Sequence, residues 1–489
     1  MKVELIGHDE KYALEQSLLT LFPGEKPVYG TVDETADAHW VRVTLTEEDE
    51  RVQVTTELGI DGRSAAHSYD YPLSGTDYEK EGQRRHAVGI SFFGAAKDLL
   101  GISPAWGSLT GVRPAKVALS LIREGGKAKA ERELQELYCV QPTRARLAIE
   151  AADAGIRAAA ELEPNDISLY VGIPFCPTRC AYCSFSSGEL GDGKLVEPYL
   201  AALAQEIRAC GAMMREMGLS VRAAYMGGGT PTSLTAAQLA RVLDEAQAAF
   251  PGAREWTVEA GRPDSITMEK LRAIRERGVE RVCVNPQTFS DETLRRIGRA
   301  HTAQDTLRAF ALAREAGFAH INMDVIAALP GEDLPQFRAT IEQVLALDPE
   351  SVTVHSLAIK RSSRLHEELV TEKSDYAPPE SAAEMIRFAS ESLREHGYFP
   401  YYLYRQKYMA GNLENTGYAK EGHACLYNIG NMEETAPVLA LGAGAVTKWL
   451  FARERRIERA PNLRNIEEYF ARVAEMVERK RALIGGDGK

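Results

Sequence analysis

The sequence predicts an α/β protein whose central part is an open, partial (β/α)6 barrel. Three observations support this fold class. Six short apolar segments between residues 168 and 355 alternate with helical segments, which is typical of parallel strands joined by right-handed crossovers. Six strands are fewer than the eight of a closed (β/α)8 barrel. A chain of 489 residues is also too long for one ordinary domain.

We expect three domains. Residues 1–160 are predicted to form an N-terminal α+β domain, because residues 38–58 alternate apolar and polar side chains and later segments have helical spacing. No chemistry in this domain suggests a function. Residues 161–360 are predicted to form the partial barrel, and residues 361–489 a mostly helical C-terminal domain that covers the substrate.

Each predicted strand of the barrel is a short apolar run. The strands are Ser168–Ile173, Arg222–Met226, Glu255–Glu259, Arg281–Val284, His320–Val325 and Ser351–His355. In a parallel barrel the active site forms at the carboxyl ends of the strands. The residues that follow each strand are therefore the first place to look for functional side chains.

Composition and charge exclude several classes of protein. The formal net charge is −12, which argues against a nucleic-acid-binding surface. No apolar run approaches the roughly 20 residues that span a bilayer, and charged residues interrupt the first segment where a signal peptide would be apolar. Seven cysteines, an odd number, do not resemble a secreted disulfide framework. We therefore predict a cytoplasmic protein without a membrane span.

Three cysteines follow the first predicted strand with C-x3-C-x2-C spacing: Cys176, Cys180 and Cys183. Thiolates are the soft ligands that iron–sulfur clusters require. Three ligands leave one iron of a [4Fe–4S] cluster open to chelate S-adenosylmethionine (SAM), which reductive cleavage converts to a 5′-deoxyadenosyl radical. The motif therefore predicts a radical SAM barrel. The alternatives are a zinc loop completed by a distant His or Cys, and cysteines without a metal.

Polar residues and glycines follow the other strands. The second strand leads into Gly227–Thr230, whose glycines would let backbone approach a ligand, although three glycines alone indicate only a turn. The third strand ends at Glu259, the fourth leads to Gln287 and the fifth ends near Asp324. Alone, a strand-end aspartate is as typical of a helix cap or an ion pair. Together these residues predict one polar site at the carboxyl ends of the strands.

The cysteine loop, the glycine block and the segments around Gln287 and Asp324 resemble, in this order, the oxygen-independent coproporphyrinogen III oxidase superfamily of radical SAM proteins (the HemN/HemW/HemZ group). The N-terminal extension resembles most the HemZ-type coproporphyrinogen dehydrogenases. The resemblance implies a [4Fe–4S] cluster held by the three cysteines, and SAM. The SAM contacts that it implies are Tyr170, Gly228, Gly229, Thr230, Glu259, Gln287, Arg299, Asp324, Ala358 and Val446.

Two departures place the chain between branches of this family. The oxidase branch has a further cysteine two positions after the third ligand, where this chain has Phe185. The haem-chaperone branch has an H-N-x-x-Y-W block, and the nearest equivalent here, which begins at His423 and contains Cys425 and Tyr427, lacks the tryptophan. HemZ-type proteins share this intermediate character.

The resemblance implies oxidative decarboxylation of coproporphyrinogen III propionates to vinyl groups. The expected partners are a tetrapyrrole substrate and an electron donor such as flavodoxin or ferredoxin. Alternatives are a haem-trafficking protein, another radical reaction on a tetrapyrrole such as methylation or ring opening, and a structural metal-binding module. Arginines and tyrosines suit a flat polycarboxylate, although tyrosines of this kind also pack domain seams. The plausible lining residues are Arg361, Arg364, Arg405, Lys407, Tyr401, Tyr402 and Tyr404.

Overall fold

A computed structural model describes most of the chain in two compact units, Met1–Ile149 and Glu150–Lys489. The described residues are 1–22, 24–111, 113–183, 188–359, 363–365, 379–406, 410–451 and 456–486. The division between the units falls within the helix Pro142–Ala160, which also contains the predicted first domain boundary. The domain boundaries at residues 160 and 360 stay predictions.

The first unit contains a mixed sheet. Its strands are β1 (Lys2–Ile6), β2 (Val28–Tyr29), β3 (His39–Glu48), β4 (Arg51–Ile60) and β5 (Arg63–Pro72), and its helices are α1 (Lys11–Leu21), α2 (Asp77–Leu100), α3 (Pro114–Glu136) and the beginning of α4 (Pro142–Ala160). The sheet order is β2-β1-β3-β4-β5. β1 pairs in parallel with β2 and β3, whereas β3, β4 and β5 form an antiparallel meander.

Two-residue turns create this meander. Asp49 and Glu50 connect β3 to β4, and Asp61 and Gly62 connect β4 to β5, all four with positive φ angles. Such turns match the right-handed twist of antiparallel strands. The sequence pattern at residues 38–58 therefore predicted the right structure here. One face of the sheet packs its valines against apolar residues of α1 and α2 to form the core of this unit.

The second unit is built on a large central sheet. Its strands are β6 (Asp166–Ile173), β7 (Phe175–Cys176), β8 (Gly188–Glu189), β9 (Ser220–Gly228), β10 (Glu255–Gly261), β11 (Arg281–Val284), β12 (His320–Ala327), β13 (Ser351–Ser356), β14 (Phe399–Tyr404), β15 (Asn415–Ala419), β16 (Val438–Leu441), β17 (Val446–Phe451) and β18 (Arg456–Pro461). Among the described residues, eleven of them form one sheet in the order β14-β15-β13-β12-β11-β10-β9-β6-β16-β17-β18.

Helices separate the parallel strands and complete the unit. They are α5 (Val196–Glu216), α6 (Ala236–Ala249), α7 (Met268–Arg275), α8 (Asp291–Arg296), α9 (Ala303–Glu315), α10 (Leu334–Leu347), α11 (Pro379–Glu395), α12 (Leu426–Met432), α13 (Ile466–Ala471) and α14 (Val473–Gly485). Capping boxes at Thr235, Thr302 and Asp333 fix the first turns of α6, α9 and α10. In the part of the chain that the structure describes, no helix is both long and apolar enough to cross a bilayer.

All six predicted strands are present and lie side by side in chain order, β6, β9, β10, β11, β12 and β13, in parallel. They are mostly buried, which explains their nearly continuous apolar runs. Among the described residues the sheet ends in edge strands β14 and β18 and is open. Because the six strands are parallel, their carboxyl ends lie along one edge.

The expectation of a mostly helical C-terminal segment missed five strands. β14 and β15 extend the sheet beyond β13, and β16, β17 and β18 extend it beyond β6. β14 is rich in tyrosine, a residue that favours strands. Only four residues long, β16 is stabilised by parallel pairing with β6, a partner more than 260 residues away that local sequence cannot reveal.

Candidate cofactor site

The cysteine loop leaves β6 beside the glycine block that ends β9. Gly229 donates its backbone N–H to the carbonyl of Ile173 at 2.7 Å, and Thr230 donates to the carbonyl of Phe175 at 2.7 Å. The Cys176 Sγ lies 3.6 Å from the Thr230 Oγ1. A Cβ at Gly229 would lie only 2.5 Å from the Phe175 carbonyl oxygen. Glycine at this position therefore lets the loop pack directly against β9.

The second half of the loop is held from another direction. Ala181 donates its backbone N–H to the carbonyl of Ile297 at 2.9 Å, and Cys183 donates to the carbonyl of Cys180 at 3.1 Å. All seven cysteines lie within the described residues, and none forms a disulfide. The described residues contain no group of three His, Cys, Asp or Glu side chains placed to hold a single metal ion. A cubane cluster takes each thiolate on a separate iron, so it does not require such a group.

Tyr170 and Gly228 meet at the end of the first two parallel strands. Gly228 has a φ of +115°, and a Cβ there would lie 3.2 Å from the Tyr170 hydroxyl. The Tyr170 ring stacks on Tyr225 and Tyr427, with ring centroids 6.4 and 6.2 Å away. Burial raises the pKa of the Tyr170 phenol, with the Glu259 carboxyl adding to the effect. This tyrosine is thus a neutral, rigid wall beside the glycine block.

Two carboxyl groups, on the strands that flank β11, have opposite pKa shifts. Burial and the nearby Asp324 raise the pKa of Glu259 to about 8, so Glu259 holds a proton at neutral pH. Burial also raises the pKa of Asp324, but the nearby His355, whose Nε2 lies 3.8 Å from the carboxyl group, and a hydrogen bond from Asn322 outweigh it and lower the pKa. The Asn322 Nδ2 lies 2.7 Å from the Asp324 Oδ1. The site therefore holds one neutral and one ionised carboxyl group.

Gln287 has an unusual backbone. Its φ is +68°, a left-handed value that costs a non-glycine residue of order 1 kcal/mol or more. Its N–H donates to the carbonyl of Asp324 at 2.9 Å, and Ile326 donates to the Gln287 carbonyl at 3.0 Å. The buried Gln287 Oε1 and Asn285 Oδ1 have no hydrogen-bond partner within the described part of the chain. Strain and unpartnered polar atoms together are typical of a ligand site.

Arg299 connects the cysteine loop to the end of β11. Its Nη1 donates to the carbonyl of Asn285 at 2.9 Å, and its Nη2 donates to the Tyr182 hydroxyl at 3.3 Å. The guanidinium is buried, and its Nε has no partner among the described residues. Nearby phenol and thiol groups favour its charged form and raise its pKa against the effect of burial. A fixed cation thus lies beside the predicted cluster ligands.

The structure therefore brings together most of the predicted site residues along the carboxyl ends of β6, β9, β10, β11 and β12. Ala358 is half-buried just beyond β13, and Val446 is the exposed first residue of β17. Their predicted contacts with SAM, like those of the other residues, stay predictions.

Tyr182, His355 and Arg262 contact or neighbour the predicted site residues but were not predicted from the sequence. Arg262 does carry a sequence signal, since it directly follows a strand.

The tyrosines predicted to line a substrate surface pack instead into a core. Tyr401 and Tyr402 are each 4% exposed and join an apolar cluster with Cys425 and Tyr427. This arrangement agrees with the alternative that such tyrosines pack a seam. The Arg405 Nη2 donates to the carbonyl of Asn412 at 3.0 Å. Predictions at Phe185, Arg361 and Lys407 lie outside the described residues.

The segment that carries the candidate site also matches a known protein family. The Radical SAM superfamily pattern matches residues 170–344. The chain is 35% identical to the oxygen-independent coproporphyrinogen-III oxidase-like protein HemZ of Bacillus subtilis, over 98% of this chain and 97% of that protein. It is 32% identical to the haem chaperone HemW of the same organism, over 57% of this chain and 70% of that protein.

A solved structure shares the fold. Coproporphyrinogen III oxidase (HemN) from Escherichia coli superposes with a TM-score of 0.53 and 23% sequence identity, over 67% of this chain and 73% of that one. This likeness extends the similarity from sequence to the arrangement of strands and helices.

Proposed function

Because the chain belongs to the radical SAM superfamily, in the group of HemN, HemW and HemZ, we propose that it decarboxylates a tetrapyrrole oxidatively. The most specific form of the proposal is oxygen-independent conversion of coproporphyrinogen III propionates to vinyl groups. One observation carries it: the similarity to the HemZ oxidase-like protein extends over nearly the full length of both chains. A cytoplasmic location and an electron donor such as flavodoxin or ferredoxin are part of the same proposal.

The cofactors of this superfamily are a [4Fe–4S] cluster and SAM, and the residues present fit them. Three thiol groups follow β6 with no disulfide among the described cysteines, and two fixed arginines lie near Cys180. Polar oxygens of Asn285 and Gln287 remain buried without partners in the described part of the chain. Such atoms suit a polar ligand that supplies the missing hydrogen bonds.

The proposed roles of the chain's residues follow from this fit. Cys176, Cys180 and Cys183 hold the cluster, and the polar residues that follow the strands hold SAM. When bound, these cofactors supply an electron and the 5′-deoxyadenosyl radical that abstracts hydrogen. Glu259 gives up its proton when a positive charge binds beside it, because a cation favours the carboxylate form. Tyr170 and its stacked neighbours exclude water from one side of the site.

Anaerobic turnover tests the proposal. The reconstituted protein, reduced with dithionite in the presence of SAM and coproporphyrinogen III, should form 5′-deoxyadenosine. Mass spectrometry should show loss of one CO2 and two hydrogens per propionate. The Cys183→Ala variant is the negative control. Formation of 5′-deoxyadenosine with an unchanged tetrapyrrole would refute decarboxylation while leaving the cofactors in place.

A second function is haem trafficking without decarboxylation. Phe185 stands where the oxidase branch has a cysteine, and the chain is 32% identical to a haem chaperone. This function predicts tight, stoichiometric haem binding and no change in the mass of coproporphyrinogen. Titration of the anaerobic protein with haem, followed by absorption, separates the two functions.

A further inference from the structure

Arg262 is a buried arginine directly beyond β10, one residue after Gly261. It forms a two-pronged ion pair with Asp264, with Nε–Oδ1 and Nη2–Oδ2 distances of 3.0 and 2.7 Å. A planar guanidinium paired in this way has a fixed orientation. Its remaining nitrogen, Nη1, therefore points in one direction only.

That nitrogen contacts the cysteine loop three times. The Arg262 Nη1 donates to the Thr178 carbonyl at 3.0 Å and to the Thr178 Oγ1 at 2.8 Å. It also lies 3.9 Å from the Cys180 Sγ. Thr178 is in the segment between the first two cysteines of the motif. One side chain thus holds this segment and places an N–H group and a positive charge beside a predicted cluster ligand.

The backbone that carries Arg262 is held as firmly as its side chain. Ser265 donates to the Arg262 carbonyl from both its N–H, at 3.0 Å, and its hydroxyl, at 2.8 Å. The Thr232 hydroxyl donates to the carbonyl of Ala260 at 2.6 Å and lies 2.6 Å from the Ser265 hydroxyl. The β10 end of its contact with the loop is therefore rigid, which a tuned electrostatic effect requires.

We infer that Arg262 is a positioning residue that fixes the Thr178–Cys180 segment and raises the reduction potential of the cluster. Reduction adds one negative charge to the cluster, so a fixed cation and an N–H donor at a ligand sulfur stabilise the reduced form. Asp264 offsets part of the charge at longer range, but its oxygens bind Nε and Nη2, and Nη1 is the nitrogen nearest the sulfur. The inference rests on the cofactors of the superfamily and not on the proposed substrate.

The experiment is a redox titration of the reconstituted protein without SAM or tetrapyrrole, followed by the electron paramagnetic resonance signal of the reduced cluster. Arg262→Gln should shift the reduction equilibrium about tenfold toward the oxidised cluster, which is about 59 mV for a one-electron couple. The matched control is Arg277→Gln. Arg277, just after the end of α7, makes the same two-pronged pair with Asp244 of α6, at 2.8 and 3.0 Å, and both side chains are partly exposed.

An unchanged midpoint in Arg262→Gln at full iron content, or an equal shift in Arg277→Gln, overturns the inference. If Arg262→Gln takes up less iron than the wild-type protein, its midpoint is read from the clusters that do assemble, because the resonance reports only those, and the same two outcomes apply. Arg262→Lys keeps a charge but cannot bond Asp264 and Thr178 together in the same fork, so its midpoint should shift less than that of Arg262→Gln. A larger shift in Arg262→Lys than in Arg262→Gln would contradict the role of the charge. Because no substrate is present, failure of the proposed reaction does not affect either outcome.

Discussion

The amino ends and the carboxyl ends of the central parallel strands carry similar polar residues, but these residues differ in how many of their polar atoms have hydrogen-bond partners. At the amino ends, Glu255 accepts N–H groups from Leu426 and Tyr427 at 3.0 and 3.1 Å, at the first turn of α12. Cys425 donates its S–H to the same carboxylate at 3.3 Å, and Arg281 lies 3.8 Å from it. At this end, the carboxylate is surrounded by donors.

At the carboxyl ends, polar side chains remain incompletely bonded. Within the described residues, Gln287 Oε1, Asn285 Oδ1 and Arg299 Nε are buried without partners. Gln287 is also held in a left-handed conformation, and Glu259 keeps a raised pKa. In parallel barrels, conserved chemistry lies at the carboxyl ends and stability at the amino ends. The amino ends thus surround their buried carboxylate with donors, whereas the carboxyl ends leave buried polar atoms without partners in the described part of the chain, as suits a ligand site.

The largest expected effect is the difference in cluster content and activity between a cysteine substitution in the cysteine loop and one at the amino ends. Cys183→Ala should abolish the [4Fe–4S] cluster and with it the formation of 5′-deoxyadenosine, at least a thousandfold loss, because no other thiol replaces the ligand. Cys425→Ala, at the amino ends, should retain both. Iron analysis and chromatographic detection of 5′-deoxyadenosine measure the difference. A full-intensity cluster spectrum in Cys183→Ala would contradict the assignment of this ligand.

The second prediction concerns the hydrogen bonds at the amino ends. Glu255→Ala should lower the free energy of unfolding by about 3 kcal/mol, because it leaves the buried Arg281 and two helix N–H groups without their partner. The cluster content of the folded fraction should not change. Urea denaturation followed by circular dichroism measures the loss. Unaltered stability would mean that this end is not the stabilising one.

At the carboxyl ends, the matched substitution of Glu259 should raise stability, whereas that of Glu255 lowers it. The folded-state pKa of Glu259 is about 8, above its ordinary value of 4.5. Between these values only the folded state holds the proton, so this group's contribution to stability falls as pH rises from about 4.5 to about 8. Glu259→Gln avoids that loss, and should stabilise the cofactor-free protein by on the order of 1 to 3 kcal/mol at pH 8.

Thermal unfolding at pH 5 and pH 8 tests this sign. The gain of Glu259→Gln over wild type should be large at pH 8 and small at pH 5. The same variant should bind SAM at least tenfold more weakly, since an amide cannot become an anion. A stabilising effect equal at both pH values would contradict the raised pKa as its cause.

The smallest expected effect concerns backbone strain. Gln287→Gly should stabilise the cofactor-free protein by about 1 kcal/mol, because glycine adopts the left-handed region freely. It should also weaken SAM binding. The control is Asp348→Gly, at the C-cap of α10, which has a φ of +53° before the amino end of β13. That change should leave SAM affinity unaltered in equilibrium binding measurements, and an equal loss in both variants would remove Gln287 from the site.

The sequence predicted the parallel part of the sheet well because its signals are local. β11 was predicted with its observed bounds, Arg281–Val284, since a buried strand is a short apolar run between helical segments. The C-terminal strands were missed because β16 and β15 depend on partners distant in sequence, β6 and β13. The burial of Tyr401 and Tyr402 was likewise undecided, since a tyrosine-rich segment suits a lining surface and a packed core equally well.

The sequence by itself determined the family, the cysteine spacing that predicts three cluster ligands, and the order of the strands that place these cysteines. Those features depend on residue type and spacing, which are properties of the chain as written. Only the tertiary structure decided that Arg262 and Arg299 lie beside the cysteine loop, that Glu259 and Asp324 have opposite pKa shifts, and that Gln287 is strained. These contacts and pKa shifts depend on charges, burial and hydrogen-bond partners supplied by residues that are distant in sequence, so they arise only when the chain is folded.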